Sequence, residues 1–120
     1  MIELKKFSIE ENCPVRNVLD RLGDKWSILI ILILGDTDKM RFSELHRTIG
    51  SISQKMLSVT LKTLEADGLV NRTVYPEVPP RVEYNITERG ESLLPHIKNL
   101  TEWALENMPG IEKSRAIFKT

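Results

Sequence analysis

The sequence predicts a mainly α-helical chain with one small β-hairpin, an α+β class. Apolar residues recur at helical spacing through most of the chain, which argues for helices. Between Val70 and Ile86 the period changes to two on either side of a proline-rich stretch, which argues for two strands and a stiff turn. A length of 120 residues, 41% apolar and 28% charged, suits one hydrophobic core and excludes a disordered composition.

The elements follow in order. Pro14 suits the first turn of a helix with Cys13 at its N-cap; Val15, Val18, Leu19 and Leu22 recur behind it, and Gly23 ends the segment. The apolar run from Ile28 to Leu34 reads equally well as a buried strand or a short buried helix. Ser27 as a cap and Gly35 as a stop favour the helix. Phe42, Leu45 and Ile49 mark a further short helix opening near Ser43. After a break at Gly50-Ser51-Ile52, Ser53 can cap a helix reaching about Asp67. Leu57, Leu61 and Leu64 form its apolar stripe, and Lys55, Ser58, Val59, Lys62 and Ala66 fall on the opposite side.

The hairpin pairs Val70–Tyr75 with Val82–Ile86 around Pro76-Glu77-Val78-Pro79-Pro80. Thr87 caps a last helix carrying Leu93, Leu94, Ile97, Leu100, Ala104 and Leu105, which Pro95 is expected to kink. Gly90 and Pro109-Gly110 read as further breaks. One domain is expected over residues 1–120, with a core at about 13–105 and a C-terminal extension over 106–120.

Several function classes receive no support. The longest apolar run, seven residues, is far from the roughly 20 of a membrane helix, and Met1–Lys6 lack a signal peptide's apolar core; a cytoplasmic protein without membrane contact is expected. A single cysteine, Cys13, excludes an intramolecular disulfide and argues against a thiolate metal site, while a bridge between two copies stays open. His46 and His96 have no ligand-spaced partner on their helices, so no metal and no cofactor are expected. The chain has no phosphate loop, GxSxG elbow or HExxH pair, so it is not read as an enzyme.

A short helix, a tight turn and a second, longer helix with a polar outward face form the helix-turn-helix plan, and the hairpin behind them supplies a wing. An α-helix fits the major groove of DNA, and a two-stranded ribbon can flank it. The net charge is zero, with seventeen basic and seventeen acidic residues. Yet Lys39, Arg41, Arg47, Lys55 and Lys62 face a single acid, Glu44, between residues 39 and 62, so that segment carries +4 and the remainder −4. Such a concentration suits phosphate binding, although a solvated helix face accounts for scattered lysines nearly as well.

A specific ordered set of motifs runs through the chain. Cys13-Pro14-Val15, Lys25-Trp26 and Arg41-Phe42-Ser43-Glu44-Leu45 are followed by Ile52-Ser53-Gln54-Lys55-Met56-Leu57. Leu64-Glu65-Ala66-Asp67-Gly68-Leu69-Val70, Arg72-Thr73-Val74-Tyr75 and Pro79-Pro80-Arg81-Val82-Glu83-Tyr84 complete it. Over about residues 13 to 105 the chain resembles the HxlR-type family of bacterial winged helix-turn-helix transcriptional regulators. Asp24 departs from the family's common second glycine before Lys-Trp; aspartate also tolerates turns, so no lost function is expected. The resemblance implies a homodimeric repressor or activator paired through its N- and C-terminal helices, often responsive to reactive small molecules or oxidative stress. It also implies a helix at Ile28–Leu34.

The candidate DNA-binding residues are Arg41, Ser43, Ser53, Gln54, Lys55, Ser58, Lys62, Arg72 and Arg81. Gln54 can pair with adenine, and Lys55 with guanine or phosphate. Val59 either meets a thymine methyl or touches a neighbouring element. Arg41 and Ser43 open a helix whose free amides attract phosphate, with Ser43 as simple cap the alternative. Arg72 and Arg81 flank the wing, where arginine finds the negative potential of a minor groove. A cross-strand pair with Glu83 is the alternative for Arg72, and a plain hairpin contact for Tyr75.

Cys13 is the candidate redox-sensing residue. A thiol at a helix N-terminus is favoured as thiolate, with Arg16 assisting and Glu10 and Glu11 opposing; the alternative is a small buried hydrophobe. Trp26 and Trp103 read as core or interface anchors. The broad apolar surface of the last helix is most simply covered by a second copy. The expected partners are therefore double-stranded operator DNA, a second copy of the chain and a small reactive effector. The competing reading is a winged-helix module that binds protein instead of DNA, for which the zero net charge and the acids Glu65 and Asp67 argue.

Overall fold

The computed structural model describes residues 13–118. The Met1–Lys6 opening and the charges Glu10 and Glu11 lie outside that range. Five helices and three strands follow in the order α1 (Pro14–Leu22), α2 (Ser27–Gly35), β1 (Met40–Arg41), α3 (Phe42–Ile49), α4 (Gln54–Ala66), β2 (Val70–Tyr75), β3 (Arg81–Ile86) and α5 (Glu88–Ile117).

The ambiguous apolar run is a helix. α2 buries Ser27, Ile30, Ile31 and Leu34 at the centre of the core, packed on α1, α4, α5 and β3. Its start differs from expectation, because Ser27 is inside the helix and Asp24 does the capping. The Asp24 carboxylate accepts from the backbone amides of Trp26 (2.6 Å) and Ser27 (2.7 Å) and from the Ser27 hydroxyl. A carboxylate three residues ahead of the helix reaches amides that the short side chain of Ser27, its first residue, cannot. Burial alone pushes the Asp24 carboxyl up, but these hydrogen bonds outweigh it and hold the group below the ordinary aspartate range.

The hairpin has the expected partners, with Val70 opposite Ile86 and Tyr75 opposite Arg81. A third strand, too short to show a period, was not visible in the sequence. β1 pairs antiparallel with β3, Met40 opposite Tyr84 and Arg41 opposite Glu83, giving the sheet order β1-β3-β2. The wing is thereby joined to the residue at which α3 begins.

Helix α5 runs unbroken for 30 residues, through Gly90, Pro95 and Pro109-Gly110. Each proline removes one backbone donor, but its fixed φ is compatible with a helix whose neighbouring bonds hold. Gly90 is no break either: a Cβ there would lie 2.4 Å from the Leu69 carbonyl oxygen and 2.5 Å from Ile86 Cγ1. The glycine lets α5 start against the turn after α4. Thr87 secures the junction, since its hydroxyl donates to the Gly68 carbonyl (2.6 Å) and accepts from the Gly90 amide (3.0 Å). Ile97 is buried, whereas Leu100, Trp103 and Leu105 are exposed, as are Val18 and Leu19 on α1.

Two outcomes are expected. Gly90→Ala should destabilise the fold by about 1–3 kcal/mol in urea denaturation, because a backbone carbonyl cannot move aside as a side chain can; an unchanged midpoint would contradict the close approach. Asp24 contributes stability that is fully present above the unfolded aspartate value, about pH 4, and is lost as pH falls through the lower folded value. Asp24→Ala should therefore lower stability at neutral pH by about 1 kcal/mol and flatten the acid limb of a stability-against-pH curve; a parallel curve would remove Asp24 as the cause.

Candidate nucleic-acid interface

Helix α3 begins at Phe42, with Arg41 at the N-cap and its backbone amide donating to Glu44 Oε1 (2.9 Å). Ser43 is therefore not the cap but an exposed residue of the first turn. The acid three residues after Arg41 was the sequence signal for this start. The chain leaves α3 through Gly50, whose φ of 79° is a left-handed conformation suited to glycine, and its amide donates to the His46 carbonyl (2.9 Å). Ile52 is buried beneath the turn.

Ser53 then caps α4, its hydroxyl accepting from the Met56 amide (3.0 Å). Leu57, Thr60, Leu61 and Leu64 are buried, at the i, i+3, i+4, i+7 spacing that seats a helix on a core. The Thr60 hydroxyl donates to the Met56 carbonyl (2.7 Å), so its burial leaves no donor unmet. The opposite face is thereby turned outward: Gln54, Lys55, Met56, Val59 and Lys62 are exposed, and Ser58 is half-buried.

Two grooves collect most of the candidate residues. Between α4 and the wing, a groove of about 330 Å³ brings Ser58 and Lys62 together with Arg72, beside Glu65 and Tyr84. Between the start of α3 and the wing tip, another of about 440 Å³ is lined by Arg41, Ser43, Arg81 and Glu77. Ser53, Gln54 and Lys55 stand apart at the exposed N-terminal turn of α4.

The two wing arginines differ. Arg72 is exposed opposite Tyr84, and the register sets Glu83 against Thr73, which does not favour the alternative of an Arg72–Glu83 cross-strand pair. Glu83 instead lies 3.6 Å from Arg81 Nε, which also lies 3.1 Å from Glu77 Oε2. The Arg81 guanidinium stacks over Tyr75 at 4.1 Å from the ring centre. Arg72 thus offers its charge to solvent, while Arg81 braces the wing tip.

At the far end of α4, Asp67 is held by both nitrogens of an Arg21 fork, Nε at 3.0 Å and Nη2 at 3.1 Å. This ion pair was not foreseen, because 46 residues separate its partners. It leaves Asp67 a weak argument for an acidic protein-docking face. Cys13 is buried at the N-cap of α1, ahead of Pro14. Arg16 Nε lies 3.8 Å from Asp20, one turn along the same helix. Trp26 is half-buried at the core's edge under Lys25 Nζ (5.0 Å from the ring), and Trp103 is exposed. Among the described residues no group of three or more His, Cys, Asp or Glu could hold a metal ion. No helix among them is long and apolar enough to cross a membrane.

This arrangement of two helices, turn and wing agrees with what comparison with known proteins finds. The family described as HxlR-like helix-turn-helix matches residues 21–112. The chain belongs to the HxlR-like helix-turn-helix family. An uncharacterized HTH-type transcriptional regulator of Methanothermobacter thermautotrophicus is 50% identical over 91 residues, 76% of this chain and 69% of that one. The redox regulator HypR in its reduced form superposes with a TM-score of 0.77 at 43% identity, covering 83% of this chain and 98% of HypR. The reduced form of the transcriptional regulator YodB from B. subtilis gives a TM-score of 0.68 at 42% identity, covering 77% of this chain and 90% of YodB. The homologues of this HxlR-like chain are helix-turn-helix transcriptional regulators, and its neighbours HypR and YodB include redox-responsive ones.

Proposed function

We propose that this HxlR-like chain regulates transcription in the cytoplasm as a homodimer that binds operator DNA sequence-specifically and responds to oxidants or electrophiles through Cys13. The outward face of α4 carries the reading: a capped helix, seated by a buried stripe, presents Gln54, Lys55, Ser58 and Lys62 to a groove of its own width. Gln54 and Lys55, at the N-terminal turn, would contact base edges, with Ser53 beside them. Lys62 and Arg72, joined across one groove, would hold phosphate on either side of a strand, and Arg41 and Ser43 would hold it at the start of α3. Arg81, engaged by two glutamates and Tyr75, would act chiefly by setting the wing's position.

The dimer reading is supported by the exposed apolar side chains Val18 and Leu19 on α1 and Leu100, Trp103 and Leu105 on α5. The Cys13 reading is supported by likeness to HypR and by its place at the start of the helix whose other end, Arg21, holds Asp67 at the end of α4. A change at Cys13 would move α1 and with it the two recognition helices of the dimer.

Titration against DNA upstream of its own and adjacent genes, with competitor present, should show tight, selective binding by a dimer. Lys62→Ala should weaken binding to all sequences and lower the log–log salt slope by about one. Weak binding, equal for every duplex, would overturn the reading, and an unchanged slope would remove Lys62 from the phosphate contacts. Cys13→Ser should keep DNA binding and lose the response to diamide; a mutant that responds as wild type does would end the sensing role.

A further inference from the structure

The middle of the outward α4 face is occupied by an apolar side chain. Leu57, Thr60, Leu61 and Leu64 point into the core, and Val59 points nearly opposite to them, at the centre of an i, i+4, i+7 line with Lys55 and Lys62. Val59 is 50% exposed, so half of its surface stays open to solvent. The other large exposed apolar residues lie mainly on α1, on α5 or on the wing, leaving Met56 and Val59 as the pair on α4.

We propose that Val59 reads the 5-methyl group of a thymine in the operator's major groove, an inference that rests on α4 being the DNA-reading helix. Lysine on either side of Val59 favours a polyanion as the occupant over an apolar protein surface, which would have to bury both charges. Within the major groove every base edge offers hydrogen-bond donors or acceptors, and thymine alone adds a methyl group. A valine has no polar atom to satisfy the former and fits the latter. Its branched Cβ holds one preferred rotamer in a helix, so little side-chain freedom is lost on contact. Val59 sits one turn beyond Lys55, which places the recognised thymine beside the base or phosphate that Lys55 contacts.

The test uses the full-length protein and duplexes it selects from a random DNA pool. Each thymine of a selected duplex is replaced in turn by deoxyuridine, which keeps the hydrogen-bonding edge and lacks only the methyl. Wild type should lose about fourfold in affinity per half-site at one thymine position. Val59→Ala, a substitution at an exposed site, should bind the thymine duplex more weakly by a similar factor and show no further loss with deoxyuridine there. Selection of a duplex that binds equally well with every thymine replaced would overturn the Val59 assignment while leaving the DNA reading intact. Retention of the deoxyuridine effect by Val59→Ala would also overturn it, since another side chain would then be reading the methyl. Failure to enrich any duplex would overturn both.

Discussion

The seating of α4 on the core is the contact on which the remaining geometry depends. Leu57, Leu61 and Leu64 are each almost fully buried, and burial of a leucine contributes about 1.5–3 kcal/mol. That stripe fixes the rotation of the helix about its own axis. A turn of one residue would carry Lys55, Val59 and Lys62 sideways by about 100° and bury polar groups in place of leucines. The outward face proposed to meet DNA is therefore a consequence of core packing, and its residues need no contacts of their own to hold it.

Two polar junctions carry that position to the rest of the molecule. At the C-terminal end of α4, Asp67 receives the Arg21 fork from α1, and Thr87 ties the following turn to the start of α5. At the other side, β1 joins the wing to Arg41 at the head of α3. The elements that carry the proposed dimer surface, α1 and α5, are thus the ones bonded to the end of α4. In the proposed dimer, a second copy covering those surfaces would set the spacing of the two α4 helices, and with it the separation of half-sites.

Most of this was legible in the sequence where local pattern decides structure. The Ser53 cap, the 3.6-residue stripe of α4 and the period-two hairpin each announce themselves within a few residues. What was not legible is what depends on distant partners. The two-residue strand β1 exists only because β3 is beside it, and Arg21 gives no sign of Asp67. Gly90 reads as a break, yet its meaning is the close Leu69 carbonyl. Ser27 and Ser43 look like caps by residue type, whereas Asp24 and Glu44 reach the free amides from better positions. For the site, the outward residues of α4 followed from periodicity; the grooves that join Lys62 to Arg72 and Arg41 to Arg81 required the fold.

In the proposed binding mode α4, and no other surface, enters the major groove as one of a symmetric pair. Methylation interference on a selected duplex tests it most directly, because guanine is modified at N7 in the major groove and adenine at N3 in the minor groove. With α4 in the major groove, guanine methylation should block binding in two clusters separated by about one helical turn, or a multiple of it. Binding that tolerates every guanine modification, or interference confined to adenine N3, would contradict it.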